Sequence, residues 1–103
     1  VSTEWSYLDW PVSSADLEKL RGVRFVFTSG SHALEIDGVE LLENGKVIDR
    51  DRHAGLAGKP SRGNFYKLSL PKGIHANNGC SLRARVRSVG GKSSNGKLEL
   101  VTE

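Results

Sequence analysis

A chain of 103 residues holds one small domain and not two, since compact domains typically run to about 100–150 residues. Hydrophobic residues are 37% of the total, with three Phe, two Tyr and two Trp, which supplies a modest core and argues against disorder. No apolar run approaches the ~20 residues a bilayer span needs, and the single cysteine, Cys80, excludes an internal disulfide and a cysteine-cluster metal site.

The chain starts at Val1 and contains no methionine, so it is expected to be processed or cut from something larger. Trp5 to Trp10 reads as a possible first strand. Ser13 to Arg21 is the one helical stretch: Ser13 or Ser14 can cap it, Leu17 and Leu20 share a face, and Gly22 can end it. Val23, Phe25 and Phe27 then alternate with Arg24, Val26 and Thr28, which predicts a strand with its aromatic side inward.

Ala33 to Asp37 begins the next strand. Gly38 interrupts it before Val39 and Leu41 resume, the sign of a bulge or bend. Asn44-Gly45, between Glu40–Glu43 and Lys46–Asp49, is the strongest hairpin signal, because both residues tolerate positive φ. Arg52 to Gly63 is a long glycine-rich loop of the kind that often carries function. Phe65 to Leu70 is a strand stopped by Pro71 and Gly73, with Phe25, Phe27 and Phe65 read as core. Asn78-Gly79 and Asn95-Gly96 mark turns before the alternating runs Ser81–Val89 and Lys97–Val101. The sum is an all-β domain: a small antiparallel β-sandwich, immunoglobulin-like or galactose-binding-like, of six to seven strands with one short helical turn.

Net charge is +3, but it is unevenly spread. Residues 1–49 hold nine acids and four bases, and residues 50–103 hold three acids and eleven bases. Arg83, Arg85 and Arg87 alternate with Leu82, Ala84 and Val86, placing three guanidiniums on one sheet face. That stripe is either an anion-binding surface or a solvated face neutralised by Glu35, Asp37, Glu40 or Glu99 on adjacent strands. No aromatic residue interleaves with the arginines in sequence, so nucleic acid is not the expected partner.

Catalytic and metal motifs fail on inspection. Gly91-Lys92-Ser93 lacks the glycine a phosphate loop needs five residues earlier, where Val86 stands. Asp49, Asp51 and His53 have the opening spacing of a calcium loop. Its sixth and twelfth positions are Ala54 and Pro60, which rule out that geometry. Asp51 is expected instead to accept hydrogen bonds that order the glycine-rich loop. His32, His53 and His75 have no paired spacing and read as loop hydrogen-bonders. No nucleophile elbow occurs, and Cys80 reads as a small strand residue. The chain is not expected to be an enzyme, to hold a metal or to use a cofactor. The aromatics are more informative: Trp5, Trp10 and Tyr66 are either structural or platforms for the C–H face of a sugar, with loop groups such as His53 and Arg62 for its hydroxyls.

Val23 to Glu103 resembles the C-terminal β-sandwich module of bacterial β-N-acetylhexosaminidases of glycoside hydrolase family 20 (chitobiase-like). The resemblance rests on Arg24-Phe25-Val26-Phe27-Thr28-Ser29-Gly30, Ala33-Leu34-Glu35-Ile36 leading to Val39-Glu40-Leu41-Leu42, and Asn44-Gly45. It continues through Asp51-Arg52-His53-Ala54-Gly55-Leu56-Ala57-Gly58 and Asn64-Phe65-Tyr66-Lys67-Leu68. It closes with Leu82 to Arg87, Gly90-Gly91 and Ser94 to Leu98. It implies that residues 1–103 are a single accessory, non-catalytic domain excised from a secreted or periplasmic glycoside hydrolase. Two roles follow: a module that binds a glycan and holds the catalytic domain near its substrate, or a structural module packed against that catalytic domain or a partner chain. The candidate carbohydrate contacts are Trp5, Trp10, His53, Arg62 and Tyr66. The expected partners are a glycan and the catalytic domain of the same parent chain, with neither nucleic acid nor membrane.

Overall fold

Alternation of apolar and polar residues along the strands produces two antiparallel sheets that close on one another. The computed structural model describes residues 1–59 and 61–102; Pro60, in the long loop, and Glu103, at the end of the resemblance, lie outside the described residues. Five strands form the larger sheet: β1 (Ser6–Pro11), β3 (Leu34–Glu43), β4 (Lys46–Asp51), β5 (Gly55–Ala57) and β7 (Cys80–Ser88). Their order is β1-β7-β3-β4, with β5 also paired to β3. The smaller sheet has order β6-β2-β8, from β2 (Leu20–Ser29), β6 (Phe65–Lys67) and β8 (Asn95–Thr102). This is the small antiparallel sandwich that the alternation predicts, with β1 at the seventh expected place. An eighth strand, β5, lies inside the stretch read as loop.

Inward positions of both sheets make one core. Leu34, Ile36, Val39, Leu41, Leu82, Ala84 and Val86 face Val23, Phe25, Tyr66 and Leu68, all buried. Each of the Leu, Ile, Val and Phe side chains contributes about 1.5–3 kcal/mol on burial. The helix α1 (Ser14–Lys19) closes one end with Leu17, which is fully buried. Ser13 caps it, its Oγ accepting from the Asp16 N–H at 3.2 Å. The chain turns straight into β2 at Leu20, so the helix stops before Gly22.

Gly22 has a different task. The ring of Phe65 lies across its Cα, where a Cβ would come within 2.6 Å of the ring. Phe65 is therefore not core: it is 39% exposed, on the outer side of the smaller sheet, with Arg24 5.9 Å over its ring. An aromatic side chain covering a strand glycine shields backbone that glycine leaves bare. Asn95-Gly96 is likewise not a turn but the start of β8, with Gly96 against the Phe25 ring. Asn44 and Gly45 do form the hairpin turn, with φ of 49° and 85°.

The bulge at Gly38 is real and positions the outer face. Ile36 pairs with Val86 and Gly38 with Arg85, so Asp37 is the extra residue on β3. Below the bulge β3 pairs with β5, and above it with β4. The edge beyond β4 is joined to the smaller sheet by side chains. Asp49 Oδ2 accepts from the Ser69 N–H at 2.9 Å and Asp51 Oδ2 from the Lys67 N–H at 2.8 Å.

Candidate functional site

The outward residues of β3, β7 and the β1 segment form one continuous surface. Strand period places Arg83, Arg85 and Arg87 on the side of β7 opposite its buried Leu82, Ala84 and Val86. From β3, Glu40 meets Arg83 at 2.7 Å, Asp37 meets Arg85 at 2.5 Å and Glu35 meets Arg87 at 3.3 Å. The stripe is thus neutralised by neighbours, as one of its two readings held. Glu99 takes no part, because it stands opposite Arg24 on the smaller sheet. These pairs are half-exposed, so each contributes about 0–1 kcal/mol. The Glu40 hydrogen bond, ahead of the weaker opposing effect of burial, holds the Arg83 guanidinium above its ordinary range.

From the other side, β1 and the residue just before it add rings. Trp5 lies over Arg85 and Arg87, with guanidinium carbons 4.7 and 4.8 Å from its ring centre. Tyr7 lies 4.6 Å from that of Arg83 and is 53% exposed. Stacking of this kind contributes about 0.5–1 kcal/mol at exposed sites. Aromatic residues do therefore accompany the arginines, supplied by the adjacent N-terminal segment rather than by β7 itself.

Between Tyr7 and the bulge is a shallow pocket of about 130 Å³, lined by Tyr7, Asp37, Gly38, Glu40, Arg52, Arg83 and Arg85. Its floor exists because Gly38 has no side chain: a Cβ there would sit 3.3 Å from Arg52 Cγ. Both Arg83 hydrogen bonds to Glu40 fall on Oε1, and the Arg85 bond to Asp37 falls on Oδ2. Glu40 Oε2 and Asp37 Oδ1 take none of these bonds. Among the described residues no ion pair engages Arg52.

The five carbohydrate candidates do not meet at one place. Trp5 belongs to the outer face just described. Trp10 points the other way, partly buried against the core with its ring edge-on to Phe25 at 6.3 Å. Tyr66 is fully buried and donates from its hydroxyl to the His53 carbonyl at 3.1 Å, and burial pushes its phenol far above the usual range. It has no surface with which to stack on a sugar. His53 packs on that ring at 4.1 Å, with Nδ1 3.0 Å from Asp51 Oδ1 and Nε2 2.8 Å from the Gly63 carbonyl. Both ring nitrogens are engaged in ordering the loop, which is the role expected of Asp51. Arg62 is exposed, pairs through its backbone with Leu56, and borders a separate depression of about 550 Å³ that includes Glu35, Leu56 and Val89.

Tyr7, Arg52, Asp37 and Glu40 were not among the sequence candidates. The signal available was the alternation of β7 beside aromatic β1. What joins them is pairing between strands some 75 positions apart in the chain, such as Tyr7 with Arg85.

Compared with known proteins, the chain matches no family model and no curated protein. Among the described residues, no helix is long and apolar enough to cross a membrane.

Proposed function

We propose that this chain is a non-catalytic accessory module of a carbohydrate-active enzyme, resembling those of secreted or periplasmic β-N-acetylhexosaminidases, and that it binds glycan on the outer face of its larger sheet. The observation that carries this reading is the ring of Tyr7, 53% exposed with the Arg83 guanidinium carbon 4.6 Å from its centre, next to a pocket edged by carboxylates and guanidiniums. A sugar ring presents an apolar C–H face to such a platform and hydroxyls to the surrounding polar groups. Trp5 extends the platform along β7. The role is targeting: tethering the catalytic domain of the parent chain near its substrate raises effective concentration without new chemistry.

The structural alternative draws on a different surface. Phe65 is exposed on the outer side of the smaller sheet, and an exposed ring there suits packing against a catalytic domain. Chemical-shift mapping during titration with a chito-oligosaccharide separates the two. Perturbations confined to β1, β3 and β7 support glycan binding; a folded protein with no perturbation supports the structural role.

A further inference from the structure

The pocket beside Tyr7 is bordered by a guanidinium, that of Arg52, which none of its ion pairs uses, while Arg83 has both Glu40 and, across the strand pair, Asp9 near it. Its lining holds Arg52, Arg83 and Arg85 against Asp37 and Glu40. Arg83 and Arg85 are each matched by a carboxylate. Arg52 is left over. Its stem lies along Gly38 and its side chain is exposed, so its guanidinium is a planar donor fork beside the aromatic platform. A planar fork of this kind recognises carboxylates by paired hydrogen bonds.

We propose that this pocket is a subsite for a sugar bearing a carboxylate, of the uronic acid class. The pyranose ring stacks on the exposed ring of Tyr7, the carboxylate pairs with Arg52, and ring hydroxyls donate to Glu40 Oε2 and Asp37 Oδ1. The two wall carboxylates do not repel the ligand, because Arg83 and Arg85 already neutralise them. The pocket's size, about 130 Å³, admits one substituent group and leaves the rest of the sugar on the open face. The chain's basic surplus, +3 overall, adds to the attraction at low salt.

This inference rests on the glycan-binding reading, and calorimetry together with the chito-oligosaccharide titration tells their failures apart. Calorimetric titrations of the full chain use methyl β-glucuronide, methyl β-glucoside and acetate as probes, with Arg52→Gln and Tyr7→Ala beside the wild type. Both variants alter exposed side chains, and circular dichroism checks that each is folded. The expected result is a preference of about tenfold for the glucuronide over the glucoside, the scale of one charge-assisted hydrogen bond. Arg52→Gln removes that preference while leaving the glucoside affinity unchanged; Tyr7→Ala weakens both sugars. Equal affinity for the two glycosides, or a preference that survives Arg52→Gln, overturns the uronate subsite and leaves glycan binding standing. Acetate binding as tightly as the glucuronide overturns it too, because the ring would then contribute nothing. Absence of binding by both glycosides to the folded wild type overturns the uronate subsite, and the chito-oligosaccharide titration then decides whether glycan binding falls with it.

Discussion

Glu40 faces Arg83 across β3 and β7 at 2.7 Å, although the spacing of the acids does not match that of the arginines. Glu35 and Asp37 are two apart, like Arg87 and Arg85, but Glu40 is three beyond Asp37. The bulge at Asp37-Gly38 absorbs the extra residue, and Glu40 returns to the outer face in register with Arg83. The same glycine leaves the floor of the pocket open for Arg52. One backbone irregularity thus produces both the unbroken ladder of ion pairs and the depression beside Tyr7.

The Arg83–Glu40 pair is the least exposed of the three, with side chains 29% and 19% accessible. A double-mutant cycle with Arg83→Ala and Glu40→Ala is expected to give a coupling of about 0.5–1 kcal/mol. The Arg87–Glu35 cycle is expected near zero, its contacts being longer and more exposed. Urea unfolding measures both, and equal couplings would contradict the exposure argument.

Gly22→Ala is expected to destabilise the fold by about 1–3 kcal/mol, because the new methyl displaces the Phe65 ring. The Phe65→Ala background removes the ring. The remaining close contact is then with the Tyr66 carbonyl oxygen, also 2.6 Å from the new Cβ. The cost of Gly22→Ala should therefore shrink but not vanish in that background. An unchanged cost would mean that the backbone contact alone sets it.

Asp51→Asn is expected to cost about 1–3 kcal/mol, the range for leaving hydrogen-bonding groups imperfectly paired. Its two oxygens hold His53 and the Lys67 N–H, so it ties the loop and the smaller sheet to β4. Amide exchange should accelerate at Lys67 more than at Val86 in the centre of the larger sheet. Uniform acceleration would show global destabilisation instead of a local tie.

Much of this fold is legible along the chain, and the exceptions have physical causes. Alternation identifies the long strands, Ser13 or Ser14 the helix cap, Asn44-Gly45 the hairpin and Gly38 a bulge or bend, since each is a local backbone requirement; the structure selects Ser13 and the bulge. Phe65 reads as core because hydrophobicity alone does not say which face of a strand a ring occupies; the glycine beneath it on the neighbouring strand decides that. Asn95-Gly96 reads as a turn, yet Gly96 is needed for close approach of Phe25. The candidate site is the least legible part. Tyr7 and Arg83 are brought together only by the pairing of β1 with β7, a non-local contact that neither segment's pattern encodes.

Stability should fall at alkaline pH. The Tyr66 phenol, ordinarily ionising at pH 10.0, is pushed well above by burial and then by the charges of Asp51 and Asp37. Burial also raises the Cys80 thiol from its ordinary 9.0, helped by Glu43 and opposed by a hydrogen bond with Asn77. In both cases the unfolded chain loses its proton first. The contribution is therefore full below the unfolded pKa and is lost as pH rises towards the folded one. Urea midpoints measured from about pH 8 to about pH 11 should decline, and Tyr66→Phe should flatten the upper part of the slope. A slope unaltered by that substitution would assign the decline elsewhere.

The same burial makes Cys80 a poor nucleophile, since the thiolate is the reactive form. Its reaction with an aromatic disulfide reagent at neutral pH should be slow and should keep pace with unfolding when urea is added. Rapid labelling of the native protein would contradict the buried placement of the thiol.

The most direct test of the account is a glycan-array screen of the folded chain beside its Tyr7→Ala and Arg62→Ala variants. The account predicts a specific set of glycans bound by the wild type, retained by Arg62→Ala and lost by Tyr7→Ala. Silence of the folded wild type across the array, or binding that survives Tyr7→Ala and disappears with Arg62→Ala, would contradict the assignment of the outer sheet face as the glycan-binding surface.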